Sequence, residues 1–413
     1  MNSIIPVAEN NDFTIYNIPF GVYSHQSEKR MATRIGDKVI DLFALAELGV
    51  FNGIISNKNL FKSDFLNPLI ELGKPTTKKI REKIQHFFSD ESNQEKINSA
   101  TQKITYPIEE VILHLPIKVG DYTDFYSSIE HATNVGTMFR DPNNALLPNW
   151  KHLPIGYHGR ASSIIVSGTP IHRPKGQTKP NADAPPVFGP CKLLDFELEM
   201  AFITFNGKPL GQHITTQEAD EYIFGMVIFN DWSARDIQTW EYVPLGPFLS
   251  KNFASSVSPW VVTTEALEPF RVEGPEQNPT PLPYLQYSGK KNIDIQLEVF
   301  IQPENANPTR VSVSNYKYMY WNMNQQLAHH TINGCNINAG DMMASGTISG
   351  PIPNSYGSML ELTWRGSKPI KMEDGSERKF INDFDTVSMK AYCIKDSIRV
   401  GFGEVYSKVL PAL

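Results

Sequence analysis

The sequence predicts a fold that is mostly β with some α, either an all-β or an α+β roll or barrel. Short runs of apolar and β-branched residues recur along the chain and indicate strands. The 27 glycines and 30 prolines often fall between these runs, where turns are expected. Apolar residues at helical spacing occur in only a few segments. We therefore expect many short strands and few helices.

The N-terminal part predicts strands followed by helices. FGVYSH and MATRIGDKVIDL indicate strands, and Gly36-Asp37 has the composition of a hairpin turn between two strand-like runs. A helical segment is expected around residues 44–48. The polar segment SDESNQEKINSATQK is expected as a surface helix or a connector. In TTKKIREKIQHFF, the apolar residues at helical spacing are Ile80, Ile84 and Phe87.

A change in composition at ITYPIEEVILHLPIKVG predicts a domain boundary near Pro116, with domains at 1–117 and 118–413. A length of 413 residues also exceeds ordinary domain size. KGQTKPNADAPPVFGP and EPFRVEGPEQNPTPLPYL are too rich in proline for regular structure. The strands predicted for the second domain are SSIIVSGTPI, LEMAFITF, FGMVIFN, PWVVTT, IDIQLEVFI, SMLELTW and DTVSMKAYCI.

Composition and motifs exclude several classes of protein. The 40% hydrophobic and 20% charged residues are typical of a folded globular chain. A net charge of −6 argues against a nucleic-acid surface, and no apolar run of about 18 residues predicts a membrane span. No phosphate-binding loop, dinucleotide-binding glycine motif or GxSxG elbow occurs.

The cysteines and the N-terminus bear on the cellular compartment. Cys191, Cys335 and Cys393 are far apart and odd in number, which matches neither a zinc site nor a disulfide framework. The start, MNSIIPVAEN, lacks the pattern of a signal peptide. We expect a cytoplasmic protein with reduced thiols and no membrane or nucleic-acid partner.

The stretch LLDFELEM alternates acidic and apolar residues from Asp195 onward. In a strand, Asp195, Glu197 and Glu199 would share one face. Such a face is either solvated or, because like charges repel, held by a cation. The stretch alone leaves both interpretations open.

Two further acids come from other segments. Asp124 lies in DYTDFYSS, and Asp231 follows the predicted strand FGMVIFN. With Glu197 and Glu199 they offer only oxygen donors, which Ca²⁺, Mg²⁺ or Mn²⁺ prefer. Four carboxylates around one dication would leave negative charge, which Lys251, Arg235 or a second cation would have to balance.

Other segments carry candidate catalytic and binding groups. Ser127 or Ser128 is expected to cap a helix that begins near Ile129, with His131 in its first turns. His131 is either a catalyst or an ordinary hydrogen-bonded histidine. Arg140 is a plausible carboxylate clamp, and Tyr157 stands between glycines, where it either covers the core or binds substrate.

The segment after Asp231 predicts a helix, with Ser233 and Asp236 spaced as a capping box. Its polar face is either solvated or functional, and comprises Arg235, Gln238 and Tyr242. Lys251 and Ser255 follow. Thr347 lies in a glycine-rich loop. Glu361 lies in the predicted strand SMLELTW, where a glutamate must be exposed, paired or functional.

Long motifs extend over nearly the whole chain: DYTDFYSSIEHATNVGTMFR, ALLPNWKHLPIGYHGRASSI, LLDFELEMAF, IFGMVIFNDWSARDIQTWEYVPLGPFLSKNF, ASGTISG followed by GSMLEL, and KVLPAL. Together they resemble the fumarylacetoacetases, a family within the fumarylacetoacetate hydrolase superfamily. The resemblance implies a small N-terminal β-barrel-like domain, a larger C-terminal mixed β-roll and a homodimer. It also implies hydrolysis of 4-fumarylacetoacetate to fumarate and acetoacetate, the last step of tyrosine and phenylalanine breakdown.

The resemblance further implies a role for each matching residue. Asp124, Glu197, Glu199 and Asp231 would hold Ca²⁺, and Asp231, Lys251 and Ser255 would surround Mg²⁺. His131 would activate water with Glu361 behind it, while Arg235, Gln238 and Lys251 stabilise the oxyanion. The substrate-binding residues would be Tyr126, Arg140, Tyr157, Gln238, Tyr242 and Thr347.

Two points depart from this pattern. The family often has Gly-Thr where this chain has Ala254-Ser255, although serine keeps the hydroxyl. Asp195 is not a ligand in the pattern, and we expect it to be a solvated acid. Rival functions are another superfamily activity, such as an acylpyruvate hydrolase, hydratase or decarboxylase, and a non-catalytic protein stabilised by its metal.

Overall fold

One large sheet holds 13 of the 26 strands in the computed structural model, which describes residues 1–26, 28–181 and 183–413. The main path of this sheet runs in the spatial order Thr105–Pro107, Lys38–Asp41, Glu28–Ile35, Phe20–His25, Trp260–Thr263, Ile223–Asp231, Leu198–Thr204, Met342–Ala344, Tyr122–Phe125 and Gly156–His158. Three further strands pair beside this path: Ile112–His114, Ile164–Val166 and Ser255–Val257.

A second sheet lies in the C-terminal part, with the order Thr309–Asn315, Gln296–Gln302, Thr386–Lys395, Ile398–Leu410 and Ile171–His172. Four two-stranded ribbons complete the β-structure of the described residues. They pair Lys175–Thr178 with Val187–Pro190, Leu194–Asp195 with Ser233–Ala234, Arg271–Val272 with Asn292–Ile293, and Ile370–Lys371 with Glu377–Arg378.

The α-helices are short apart from two in the N-terminal part and one beside the site. They span Leu42–Glu47, Asn67–Ile70, Lys74–Ser89, Gln94–Ile104, Ile129–Phe139, Arg235–Glu241, Thr264–Leu267, Met323–Thr331 and Met359–Leu362. The 3₁₀ turns are Lys58–Lys62, Glu91–Asn93, Ile108–Glu110, Pro142–Asn144, Ala161–Ser163, Ala219–Tyr222, Glu268–Phe270, Pro283–Leu285, Tyr316–Tyr318 and Pro353–Ser355. No helix of the described ranges is both long and apolar enough to cross a bilayer.

The N-terminal and C-terminal parts share one sheet and one apolar core. Phe20 pairs with Val261 across antiparallel strands, so the N-terminal strands continue directly into those that lead to the site. Phe20 and Ile80 from the N-terminal part and Phe224 and Val261 from the C-terminal part belong to the same buried cluster. Burial of apolar surface therefore ties the accessory part to the part that carries the acids.

The predicted strand FGVYSH is confirmed at Phe20–His25, and the predicted hairpin has a turn at Gly36, where φ is +60°. The helix in TTKKIREKIQHFF is also confirmed, and buries the three apolar residues at helical spacing. The polar segment that follows is a helix over Gln94–Ile104, one of the two expected alternatives.

Three predictions of local secondary structure are wrong. EPFRVEGPEQNPTPLPYL contains a short strand, Arg271–Val272, which pairs with Asn292–Ile293, and two 3₁₀ turns. SMLELTW forms a helix over Met359–Leu362 with Ser358 as its N-cap, and is not a strand. The segment KGQTKPNADAPPVFGP contains the ribbon Lys175–Thr178 with Val187–Pro190. Its other prolines, at 180, 185 and 186, fall between the two strands, where they interrupt no ladder hydrogen bond.

Candidate active site and metal centre

Four buried carboxylates converge at one end of the large sheet. Each offers one oxygen, and these four atoms all lie within 4.8 Å of one another. The structure thus brings together the four acids that the sequence offered as ligands. We call this set the carboxylate cluster: Asp124, Glu197, Glu199 and Asp231.

Sheet pairing explains how these distant segments meet. The strand that ends at Asp231 runs antiparallel to the strand that carries Glu199. At its end the Asp231 N–H donates to the Glu197 carbonyl at 3.3 Å. One further strand separates Glu199 from the strand of Asp124. The four acids therefore come from three separate segments of the chain but lie together at one end of the sheet.

Two tyrosines donate hydrogen bonds to the cluster. The Tyr157 hydroxyl lies 2.9 Å from Asp124 Oδ2 and 3.1 Å from Asp231 Oδ2. The Tyr122 hydroxyl lies 3.1 Å from Asp124 Oδ2. Gly159 makes room for this arrangement, because a Cβ there would lie 2.1 Å from the Tyr122 ring. Sequence reasoning missed Tyr122, although its position two residues before Asp124 places it on the same strand face.

Two positively charged side chains form ion pairs with one side of the cluster. The Lys251 ammonium donates to Glu197 Oε2 and, at 2.6 Å, to Asp231 Oδ2. Arg235 Nη1 lies 2.8 Å from Glu197 Oε1. Burial by itself raises the pKa of Glu197, but the charges of Lys251 and Arg235 outweigh it and hold that pKa below its usual range. Glu197 is therefore ionised.

The other side of the cluster lacks donors. Among the described residues, Asp124 Oδ1 and Glu199 Oε1 are buried and have no hydrogen-bond partner. Burial, followed by the neighbouring carboxylates, raises the pKa of both groups well above the usual range. A buried carboxylate in this state needs a proton or a cation.

A divalent cation fits that requirement. The donor set consists of carboxylate oxygens, which Ca²⁺ and Mg²⁺ prefer, and two of these oxygens are unpartnered. The cationic side chains do not neutralise the site, because Arg235 is shared with a fifth carboxylate, Asp195. The residues present therefore suit a hard cation at the unpartnered side of the cluster.

Ser255 and Thr347 border the cluster. The Ser255 hydroxyl donates to Asp231 Oδ1 at 2.9 Å, so the serine that replaces the family's threonine still contacts the cluster. Gly346 N–H donates to Glu199 Oε2 at 2.9 Å. Next to it the Thr347 hydroxyl is buried and, within the described part of the chain, has no partner. Thr347 therefore retains a free hydrogen-bonding group.

A histidine and a glutamate form a second buried centre. His131 Nδ1 lies 2.7 Å from Glu361 Oε2, and both side chains are buried. Ser128 caps the helix of His131 by accepting from its N–H at 3.2 Å, as one predicted alternative required. We call this contact the His131–Glu361 pair.

Three more donors, which the sequence did not single out, reach Glu361. Asn134 Nδ2 donates to Oε1 at 2.9 Å, Ser349 Oγ lies 2.9 Å from both oxygens, and Ser358 Oγ lies 2.8 Å from Oε2. Burial raises the pKa of Glu361, but His131, Asn134 and Ser358 outweigh it, so the pKa lies below its usual value. Asn134 was detectable, because it lies three residues after His131 on one helix face.

Backbone contacts join the two centres. Glu197 forms an antiparallel bridge with Ser358, whose hydroxyl donates to Glu361. The two centres therefore form one site.

The expectation for Asp195 is wrong. Asp195 is fully buried and accepts hydrogen bonds from Arg235 Nε at 2.8 Å, Met359 N–H at 2.6 Å and Leu360 N–H at 3.0 Å. Its strand ends at residue 195, before the strand of Glu199 begins, so the two do not share a continuous face. Local alternation could not show this break.

The helix after Asp231 also differs in one detail. It spans Arg235–Glu241, and its N-cap residue is Ala234, which has no side-chain acceptor, while Asp236 accepts from Cys191 Sγ and Lys192 N–H. The predicted capping box is therefore wrong. Arg235 and Gln238 do share a face, with Arg235 Nη1 at 3.3 Å from Gln238 Oε1.

The remaining predicted binding residues lie around the His131–Glu361 pair or further out. The Tyr126 ring meets His131 edge-on, with centroids 5.3 Å apart. Arg140 is exposed and donates to the Ala145 carbonyl through Nε and Nη2, at 3.1 and 2.6 Å. Tyr242 follows the helix of Arg235 and is half exposed. The structure thus places Tyr126 beside His131, and Arg140 and Tyr242 toward solvent.

Comparisons with known proteins give a consistent result. Two family models match: fumarylacetoacetase N-terminal over residues 16–116, and fumarylacetoacetate hydrolase C-terminal over residues 122–410. Fumarylacetoacetases of Homo sapiens and Dictyostelium discoideum are each 51% identical to the whole chain, over 99% and 98% of their own lengths. That of Caenorhabditis elegans is 50% identical over the full length of both chains.

Solved structures share the fold at low identity. A fumarylacetoacetate hydrolase from Exiguobacterium antarcticum aligns with 95% of this chain and 99% of its own, with a TM-score of 0.54 and 16% identity. A 5-carboxymethyl-2-hydroxymuconate delta-isomerase from Mycobacterium smegmatis aligns with 95% of this chain and 100% of its own, with a TM-score of 0.50 and 16% identity. These likenesses concern the fold alone.

Proposed function

The chain belongs to the fumarylacetoacetase family, and on that premise we propose how its site cleaves a carbon–carbon bond. The protein is a hydrolase that splits 4-fumarylacetoacetate with water into fumarate and acetoacetate. The observation that carries the proposed mechanism is the buried His131–Glu361 pair joined to the carboxylate cluster.

His131 acts as the general base. Glu361 is ionised and accepts from Nδ1, which fixes the tautomer and leaves Nε2 free to take a proton from water. Asn134, Ser349 and Ser358 hold the carboxylate, so it keeps its orientation when His131 becomes charged. The bond between the fumaryl carbonyl carbon and the adjacent methylene carbon breaks. The hydroxyl of the water joins the carbonyl carbon, which gives fumarate, and its proton joins the methylene carbon, which becomes the methyl group of acetoacetate.

We propose that the carboxylate cluster would hold Ca²⁺. Asp124, Glu197, Glu199 and Asp231 supply the oxygens, and a bound divalent cation supplies Lewis acidity toward the diketone. We propose Mg²⁺ beside Asp231 and Ser255, since Mg²⁺ retains waters and needs few protein ligands. Lys251 would balance charge there and not ligate, because a protonated amine has no lone pair.

Donors from the chain meet the negative charge that develops on the leaving carbanion. Arg235, Gln238 and Lys251 lie together on one side of the cluster. By analogy with oxyanion-hole donors, each is expected to contribute about 3 kcal/mol to transition-state stabilisation. These groups are fixed before substrate binds, which lowers the cost of reorganisation.

The predicted substrate-binding residues hold the carboxylates and carbonyls of the substrate. Thr347 has a free buried hydroxyl, and Tyr126 lies against the base. Tyr157 would turn one hydrogen bond from Asp124 or Asp231 to the substrate. Gln238, Tyr242 and Arg140 complete the binding set, with Arg140 exchanging the Ala145 carbonyl for a carboxylate.

We also propose a cytoplasmic homodimer. Val243, Leu245 and Phe248 are 65%, 98% and 68% exposed in the segment after the helix of Arg235, and such apolar groups are typical of an interface. The three cysteines are free thiols, as in a reducing compartment. Analytical ultracentrifugation of the purified protein should give twice the monomer mass, and cell fractionation should find the protein in the cytoplasm.

A product assay tests the function. Purified protein with Ca²⁺ and Mg²⁺ should convert 4-fumarylacetoacetate into equal amounts of fumarate and acetoacetate, and a chelator should abolish this turnover until Ca²⁺ or Mg²⁺ is restored. Decarboxylation or hydration products would instead indicate another superfamily activity. A metal that raises thermal stability without any turnover would indicate a non-catalytic protein.

A further inference from the structure

We infer that Asp195 is a positioning residue for catalysis, which fixes both the Arg235 guanidinium and the helical turn that carries Glu361. The inference rests on the proposed function, because it assigns Asp195 a task in the same reaction. It concerns a residue that is neither a proposed ligand nor a proposed substrate contact.

Both oxygens of the Asp195 carboxylate accept hydrogen bonds from the protein. Oδ2 accepts from Arg235 Nε at 2.8 Å and from Leu360 N–H at 3.0 Å, and Oδ1 accepts from Met359 N–H at 2.6 Å. The side chain is fully buried. Both oxygens of Asp195 therefore bind groups of the protein, and we infer that its effect passes through these groups.

One of these groups is the guanidinium. Arg235 Nε binds Asp195, and Nη1 binds Glu197 at 2.8 Å, so two nitrogens of a planar group are fixed by carboxylates. Arg235 Nη2 is buried and, among the described residues, has no partner. Asp195 thus determines where this free donor points, and Nη2 is the Arg235 atom available to negative charge on the substrate.

The other group is the helix of Glu361. Met359 and Leu360 supply N–H groups in its first turn, which have no partner within a helix. The helix has only four residues, and so short a helix does not hold its shape alone. The two hydrogen bonds that Asp195 accepts therefore anchor the turn that directs the Glu361 carboxylate to His131.

Replacement of Asp195 by asparagine tests this role. The amide keeps the volume but presents an NH₂ group to one of three donors, so the guanidinium or the turn must shift. A displacement of about 1 Å costs on the order of 10²-fold in rate. We expect kcat to fall by about 10- to 100-fold with KM changed by less than about threefold, since transition-state positioning is lost and not uniform binding.

A double-variant cycle tests whether Asp195 acts through Arg235, and a matched control variant separates this positioning from a general loss of stability. If Asp195 acts mainly through Arg235, Asp195→Asn in an Arg235→Lys background should lower kcat by less than about threefold more. The matched control is Asp385→Asn. Asp385 is a buried acid that accepts from Arg378 Nε and Nη2, at 2.8 and 2.9 Å, and from Asn382 N–H at 2.9 Å. It should lose thermal stability but keep kcat.

The outcomes separate this inference from the proposed function. Wild-type turnover with an Asp195→Asn variant of equal kcat would overturn the inference and leave the function intact. Full additivity with Arg235→Lys would overturn the route through Arg235. Wild-type protein without turnover would overturn the function and, with it, the inference. If Asp195→Asn yields no folded protein, Asp195→Glu keeps the charge, displaces it by one methylene, and gives the same kinetic readout.

Discussion

The carboxylate cluster and the His131–Glu361 pair are both buried acid sites, yet two acids of the cluster, Asp124 and Glu199, differ from Glu361 in electrostatic state. Glu361 receives hydrogen bonds from four side chains, and its pKa lies below the usual value. Asp124 and Glu199 each have an oxygen without a partner among the described residues, and their pKa values lie well above it. All three groups are buried, so the difference comes from their surroundings: His131 and hydrogen-bond donors lower the pKa of Glu361, whereas neighbouring carboxylates raise the pKa of Asp124 and Glu199.

This difference indicates what each centre does. A carboxylate whose oxygens are all satisfied is complete in the protein alone and can fix another group. A carboxylate with an unpartnered buried oxygen needs something from outside the chain. The pair is therefore built to orient a base, and the cluster is built to receive a cation.

The largest effect should come from breaking the pair. His131→Ala removes the base, and general-base catalysis typically contributes about 10²- to 10⁴-fold, so kcat should fall within that range. The rate of fumarate formation is the measurement, with Ca²⁺-dependent thermal stability as evidence that the fold and the cluster persist. His114→Ala is the control, since His114 is a half-buried histidine bonded to Ser24 in the N-terminal part. Near-normal turnover in His131→Ala would remove the residue from this role.

An intermediate effect should come from the cluster. A ligand at 100 times its Kd stabilises the folded state by about 2.7 kcal/mol, so Ca²⁺ at that ratio should raise the Tm of the wild type by several degrees. Glu199→Gln removes one charge and one ligand, so its Tm without metal should rise while its response to Ca²⁺ falls. Differential scanning calorimetry with and without Ca²⁺ measures both. If Glu199→Gln kept the full Ca²⁺ response, Glu199 would not be a ligand.

The smallest effect concerns pH and has opposite sign at the two centres. The depressed pKa of Glu361 contributes stability that is present above about 4.5 and is lost as pH falls through its folded-state value. The raised pKa of Glu199 contributes stability that is present below about 4.5 and is lost as pH rises through its folded-state value.

The measurement is Tm against pH in chelator. Glu361→Gln should flatten the acid limb of the curve, and Glu199→Gln should flatten the loss toward neutral pH. Added Ca²⁺ should remove the second effect and leave the first. Equal slopes in both variants and the wild type would contradict the contrast between the centres.

Much of the fold and part of the site could be predicted from local sequence. The strand-like composition of FGVYSH and the helical spacing in TTKKIREKIQHFF predicted the correct elements, because residue preference and the burial of one helix face act over a few positions. Ser128 indicated the start of the helix that carries His131, since caps act within three residues. The absence of clustered soft ligands already favoured oxygen coordination.

Long-range partners decided the rest. SMLELTW alternates like a strand, but Ser358 caps a turn there and Asp195 accepts two of its N–H groups, so a helix is favoured. Asp195 itself was expected in water, because its neighbours in the chain do not show that Arg235 lies 2.8 Å away.

The sequence by itself determined strands such as Phe20–His25, the helix of His131 and the supply of carboxylates, because these depend on residues a few positions apart. Only the tertiary structure decided which acids are satisfied, which keep an unpartnered oxygen, and which hold Arg235. The physical reason is that the state of a buried charge depends on the donors around it in space, and those donors come from strands and loops far apart in the chain.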